Sequence, residues 1–156
     1  MTEYHLIYDL ETGMIRWPGS GPEGHAAAQV LMEGTGIIIV PQEAYDGGAV
    51  NWSAIRDSYC ARIDAEAVIH YPVRTEAQAL KAAELEGSTG TNLIGAEAAA
   101  TGVDEAIIRA AVAEQHAAWA AAFASIEGKR QATKAGIRAA EGFAAILAAA
   151  QVNWSA

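Results

Sequence analysis

From Asp104 onward the chain keeps one apolar seam almost to its end, and this seam limits the possible folds more than any other feature. Ile108, Val112, Trp119, Ile126, Ile137 and Leu147 mark it, with alanines and a gap between Ile126 and Thr133 filling the steps of three and four. That period places the residues along one side of an α-helix. Asp104 supplies the N-cap, with Val103 and Ile108 as the hydrophobic staple. Unbroken to Ala149, the helix would extend roughly 65–70 Å. Gly128, Gly136 and Gly142 each weaken it by about 1 kcal/mol relative to alanine. A turn at Glu127-Gly128-Lys129, folding the chain into an antiparallel hairpin, is the competing reading.

Upstream the period differs. Tyr4 to Asp9 is aromatic and β-branched, Glu11-Thr12-Gly13 has turn chemistry, and Met14 to Trp17 reads as a second strand of a hairpin. Pro18-Gly19-Ser20-Gly21-Pro22 is expected to end that strand. His25 to Met32 could form one or two helical turns. Ile37 to Val40 is a continuous apolar run, expected in the middle of the sheet. From Asn51, an N-cap, the helical period begins, with Trp52, Ile55, Tyr59 and Ile63 on one face. Pro72 stops this helix at or before Tyr71. Thr75 and Gln78 form a capping box for a helix over 76–86, and a short helix follows from Leu93 to Thr101, stopped by Gly102. The fold class is therefore α+β. A small antiparallel or mixed sheet module (1–50) precedes an alanine-rich helical region (51–150) with one long helix, and 151–156 form a tail. The architecture amounts to about three strands and four helices, the last the longest.

The pentapeptide Val50-Asn51-Trp52-Ser53-Ala54 recurs unchanged as Val152-Asn153-Trp154-Ser155-Ala156. The repeat reads first as chance recurrence with Trp154 packing locally, and second as a tail that mimics an internal docking segment. The tail 151–156 looks free, with Trp154 available to anchor in a neighbour's pocket.

Composition narrows the partners. The chain has 156 residues, is 52% apolar and carries a net charge of −9. It has enough apolar surface for a core, but alanine buries little of it. The acidic balance repels phosphate, which argues against nucleic acid and anionic membranes as partners. The basic stretch Lys129, Arg130, Lys134 and Arg138 reads as a solvated helix face. Cys60 is the only cysteine, so neither an intrachain disulfide nor a cysteine-based zinc site is available. No signal-like segment opens the sequence and no apolar run reaches membrane-spanning length, so a soluble protein made in a bacterial cytoplasm is expected.

No catalytic site, metal site or cofactor is read from the sequence. Gly34-Thr35-Gly36 precedes a strand and Gly19-Ser20-Gly21 lies between prolines, so neither suits a phosphate-cradling loop. There is no nucleophile elbow. His5, His25, His70 and His116 lack the i, i+4 spacing of a helical metal site. Cys60 sits beside an aromatic helix face, where a buried inert thiol is expected. Glu97, set among alanines, is either exposed or paired with a basic group or a helix N-terminus, pairing being the favoured reading.

The residues carry a resemblance. Lys81-Ala82-Ala83-Glu84, Leu93-Ile94-Gly95-Ala96-Glu97-Ala98, Gly102, Trp119, Ile126-Glu127, Arg130, Lys134 and Ile137 resemble the C-terminal helical domain of tailed-bacteriophage tail proteins. Tyr8-Asp9-Leu10-Glu11-Thr12-Gly13-Met14-Ile15 is similar to the YD-x-x-T-G-x-I opening of that family. The family commonly has proline where this chain has Asn92. The resemblance implies a non-enzymatic virion protein: a tail-fibre or baseplate accessory or adaptor binding itself and other tail or virion proteins. A tail-assembly chaperone and a capsid vertex or decoration protein are the alternatives. Self-association is expected through Trp119, Phe123, Ile126, Ile137, Phe143, Leu147 and Trp154, as a trimer first and a dimer second.

Overall fold

The computed structural model describes residues 1–46 and 49–155. Three strands form an antiparallel sheet in the order β2-β1-β3: β1 (Thr2–Asp9), β2 (Ile15–Pro22) and β3 (Thr35–Val40). A 3₁₀ turn (Gln42–Ala44) leads to the short antiparallel pair β4 (Tyr45–Asp46) and β5 (Ala49–Val50). Five helices follow: α1 (Trp52–His70), α2 (Glu76–Leu85), α3 (Leu93–Thr101), α4 (Glu105–Ala139) and α5 (Phe143–Ala149). About half the chain is helical, and the fold is α+β, as the change of period near Asn51 implies.

The hairpin is built on Asp9. Its Oδ1 accepts from the backbone N–H of Glu11 and Thr12 (3.1 and 2.8 Å) and from the Thr12 hydroxyl (2.9 Å). Its Oδ2 takes the Arg16 guanidinium at 2.5 Å. These donors hold the Asp9 carboxyl well below the usual carboxylate range, the Thr12 backbone most of all. The YD-x-x-T-G segment is thus a turn locked by its own aspartate.

Two strand readings change. β2 continues through Pro18-Gly19-Ser20-Gly21-Pro22, paired as far as Thr2↔Pro22. It is an edge strand, so its prolines leave no ladder donor missing on the paired side, and Gly19, opposite His5, leaves room for the His5 ring. The central strand is β1, and Ile37–Val40 lie on the other edge. There Val40 is buried and Ile38 packs on the core, while Ile39 is exposed, the alternation of an edge with one covered face. The segment from His25 to Met32 forms turns without a helix.

The helical expectations hold at their caps. Asn51 Oδ1 accepts from Ala54 N at 3.2 Å, α1 ends at His70 before Pro72, and Thr75 with Gln78 closes both halves of a capping box. Asp104 Oδ1 accepts from Ala106 N at 2.8 Å.

The last element differs. α4 runs straight through Gly128, about 52 Å at 1.5 Å per residue, and breaks instead after Ala139. Gly142, at φ 81°, reverses the chain into α5. The freed carbonyl of Ala140 accepts two bonds from Arg56, from Nε at 3.1 Å and Nη2 at 2.8 Å. A fifth helix results, and α4, the fourth, is the longest.

Two compact units emerge, and they cut the chain differently from the change in composition at residue 50. The first comprises Met1–Ile69 with Gly128–Ser155, the second His70–Glu127. In the first, the sheet face bearing Leu6 and Val40 packs with Ile55, Tyr59 and Ile63 of α1, Ile137 of α4, and Phe143 and Ile146 of α5. The Phe143 ring meets Tyr8 edge-on at 4.6 Å and Tyr59 at 6.1 Å. Val152 and Trp154 pack against this same core, so the tail is docked on its own chain. Trp154 Nε1 donates to Glu66 at 3.4 Å, and Lys129 donates to the carbonyls of Trp154 and Ser155.

Candidate functional site

In the second unit, α2, α3 and the first half of α4 enclose an open groove of about 680 Å³. Local chemistry sets each wall. The capping box starts α2, and the Glu84 carboxylate accepts from the N–H groups of Leu93 (2.7 Å) and Ile94 (3.4 Å), anchoring the start of α3. Lys81 of α2 is paired with Glu97 of α3 across the groove. Glu97 is thus paired with a basic group, one of the settings open to a carboxylate among alanines.

An aromatic ladder forms the end of the groove. The Arg74 guanidinium lies over the Trp119 indole, 4.2 Å from its centroid. Trp119 stacks on Phe123 at 5.3 Å, and Phe123 on Tyr71 at 4.6 Å. The Trp119 N–H donates to the Pro72 carbonyl at 2.8 Å, and the Tyr71 hydroxyl to Glu127 at 2.6 Å. His116 lies nearly parallel to Trp119 and meets Arg74 through Nδ1 (3.2 Å) and Glu86 through Nε2 (3.2 Å). Both contacts fit the tautomer with its proton on Nε2, which lets Nδ1 accept from Arg74.

The remaining wall is apolar: Ile108, Val112 and Ala111 of α4, with Val103 and Ile107 at one lip and Val73 at the other. The rim is uncovered, with Val73 95% and Ile107 63% exposed. A pocket in this size range, apolar with a few polar groups, is the usual form of a binding site.

The sequence-derived interface residues are divided between the two units. Trp119, Phe123 and Ile126 belong to the second unit; Ile137, Phe143, Leu147 and Trp154 belong to the first. Ile126 is buried, Ile137 and Phe143 are 0% exposed, and Leu147 and Trp154 pack on the core of a single copy. Leu147, Trp154 and Trp119 are half-buried, and Phe123 is the exposed member. Spacing along α4 points to Trp119, whereas Tyr71 and Pro72 read only as the end of a helix and Arg74 carries no signal of its own. Their only joint signal is an aromatic, a proline and an arginine in a short interhelical segment.

The basic stretch is also not a solvated face. Arg130 and Lys134 both pair with Asp64, and Lys129 holds the tail. Lys134 and Arg130 together keep the Asp64 carboxyl below its ordinary range. Cys60 is buried, and burial pushes its thiol up, away from the reactive thiolate. Among the described residues no group of three or more His, Cys, Asp or Glu could hold a metal ion, and no helix is long and apolar enough to cross a membrane.

No protein-family model, no curated protein and no solved structure matches this chain.

Proposed function

We propose that this chain is a structural adaptor of a tailed-phage particle, in its tail fibre or baseplate, and that it holds a partner protein in the groove of the second unit. The observation that carries the docking role is the uncovered apolar rim of Val73, Val103 and Ile107 around that groove. An open apolar groove with exposed hydrophobic residues at its rim and a few polar groups is a usual form of binding site. The phage assignment rests on the resemblance of the YD-x-x-T-G opening and the alanine-rich helices. The aspartate-locked turn gives that opening a physical reason to be a unit.

Self-association in threes or twos would use apolar surface left exposed in one copy, such as Ile107 and Phe123 of α4. Quantitative mass spectrometry of purified particles of the encoding phage tests the role. A structural adaptor is present at a fixed copy number matching the particle's symmetry. An assembly chaperone must release its client and would be missing.

A further inference from the structure

The groove itself specifies what fits it, and this step rests on the docking role just proposed. Its polar lining is unbalanced. Arg74 and Lys81 face it against one carboxylate, Glu97, in a chain whose net charge is −9. Lys81 and Glu97 satisfy each other. Arg74 has no carboxylate partner among the described residues. One face of its guanidinium is covered by Trp119 and one N–H is directed at Nδ1 of His116. A guanidinium carries five N–H donors in a planar fork, so the groove retains a fixed, preorganised cation with donors to spare.

That cation stands at the end of a wall made of Ile107, Ile108 and Val112. An occupant must therefore cover apolar side chains and end in a single negative charge. A phosphate group fits poorly, because a second negative charge would find no second free cation and would feel the acidic chain around it. The second unit has no strand among its described residues, so an extended peptide has no sheet edge to extend. Three helices framing a trough leave the helix-in-groove mode of recognition, read by apolar anchors at i, i+3 and i+4.

We propose that the groove binds an amphipathic helical segment of a partner protein, whose apolar face covers Ile107, Val103 and Val73 and whose single carboxylate, Asp or Glu at the end of that face, pairs with Arg74. Trp119 and His116 then act as positioning residues: one supports the guanidinium from beneath, the other orients it by accepting its N–H.

The test uses the full chain and a fluorescent helical peptide with leucines along one face and one glutamate closing it, with glutamine and lysine versions of the same peptide. Anisotropy should show saturable binding of the glutamate peptide. It should be about tenfold weaker for glutamine, as loss of one charge-assisted pair predicts, and weaker again for lysine. Arg74→Gln should abolish the difference between the glutamate and glutamine peptides. Arg74→Lys keeps the charge but not the fork and should fall between. Because Arg74 also covers Trp119, Ile107→Ser is the companion variant. Ile107 is 63% exposed, so the fold tolerates the change, and binding of every peptide should drop at least tenfold.

Equal binding of the three peptides, no binding at all, or a glutamate preference that survives Arg74→Gln would each overturn the proposal. So would sedimentation showing a dimer that Ile107→Ser dissolves, because a second copy would then be the occupant. Particle mass spectrometry is independent of these readouts: the protein found in virions with no peptide binding refutes this occupant and leaves the adaptor role standing.

Discussion

Arg74 lies over the indole of Trp119 at 4.2 Å while the N–H of the same indole donates to Pro72, two residues before the arginine. One side chain on α4 thus fastens the whole segment between α1 and α2. Trp119→Ala should remove the stack under Arg74, which keeps only its His116 contact, and leave the Pro72 carbonyl without its indole donor. For a half-buried tryptophan this should cost about 3 kcal/mol, the low end for Trp-to-Ala changes. Native-state hydrogen exchange should show amides of α2 and α3 losing protection while those of α1 keep theirs, because α2 and α3 belong to the second unit and α1, to Ile69, to the first.

Asp64 receives Lys134 at 2.5 Å and is also paired with Arg130. Asp64→Asn should destabilise the chain by about 1 kcal/mol, limited by solvent screening because the Asp64 side chain is 41% exposed. Its folded-state pKa is lowered, so the stabilisation is complete above the ordinary carboxylate range, declines as pH falls into it and is lost as pH falls through the lower folded-state value. Urea midpoints measured at pH 7 and pH 3 should therefore differ less in the Asn variant than in the wild type.

His5 is 2% exposed and its Nδ1 has no hydrogen-bond partner among the described residues. Burial, with the neighbouring His25 adding to it, disfavours its charged form and lowers its pKa. The unfolded chain takes up this proton near pH 6.5 and the folded chain only at lower pH. Stability from this site is therefore full above about pH 6.5 and declines as pH falls below it. His5→Phe should flatten the dependence of the urea midpoint between pH 7 and pH 5.

Removing Val152 to Ala156 should lower stability by about 2 kcal/mol, because Val152 and Trp154 leave the core and Lys129 loses its carbonyls. Trp154→Ala should reproduce most of the loss in the same denaturation experiment. A free tail would have allowed the deletion without cost. The docked tail agrees with local packing of Trp154 and not with a free anchor.

What could be read from the residues was what is local. The Asn51, Thr75 and Asp104 caps and the Gly102 stop each depend on neighbours within four positions, and all appear where expected. Pairing of Glu97 could be favoured from the cost of an isolated carboxylate, though not the choice of Lys81. The break in α4 was hidden because its stabilising contact, Arg56 to Ala140, spans 84 residues. The edge position of β3 was hidden because a run of isoleucines does not say which strand lies beside it. The division into units was obscured for the same reason: α4 is one periodic element, and periodicity is blind to which neighbours each of its turns meets.

The first unit is assembled from both ends of the chain, and this dictates the order in which a ribosome can complete it. Leu6, Val40, Ile55 and Ile63 emerge early, but Ile137, Phe143 and Ile146, which close the core over them, come last. The Asp9 turn needs only a few residues and can form as soon as it is made, whereas closing the core requires a loop of more than a hundred residues and slows in proportion to that topology. Throughout most of synthesis the nascent chain therefore carries a preformed hairpin with an open apolar face, and the second unit, contiguous in sequence, is the part able to fold first.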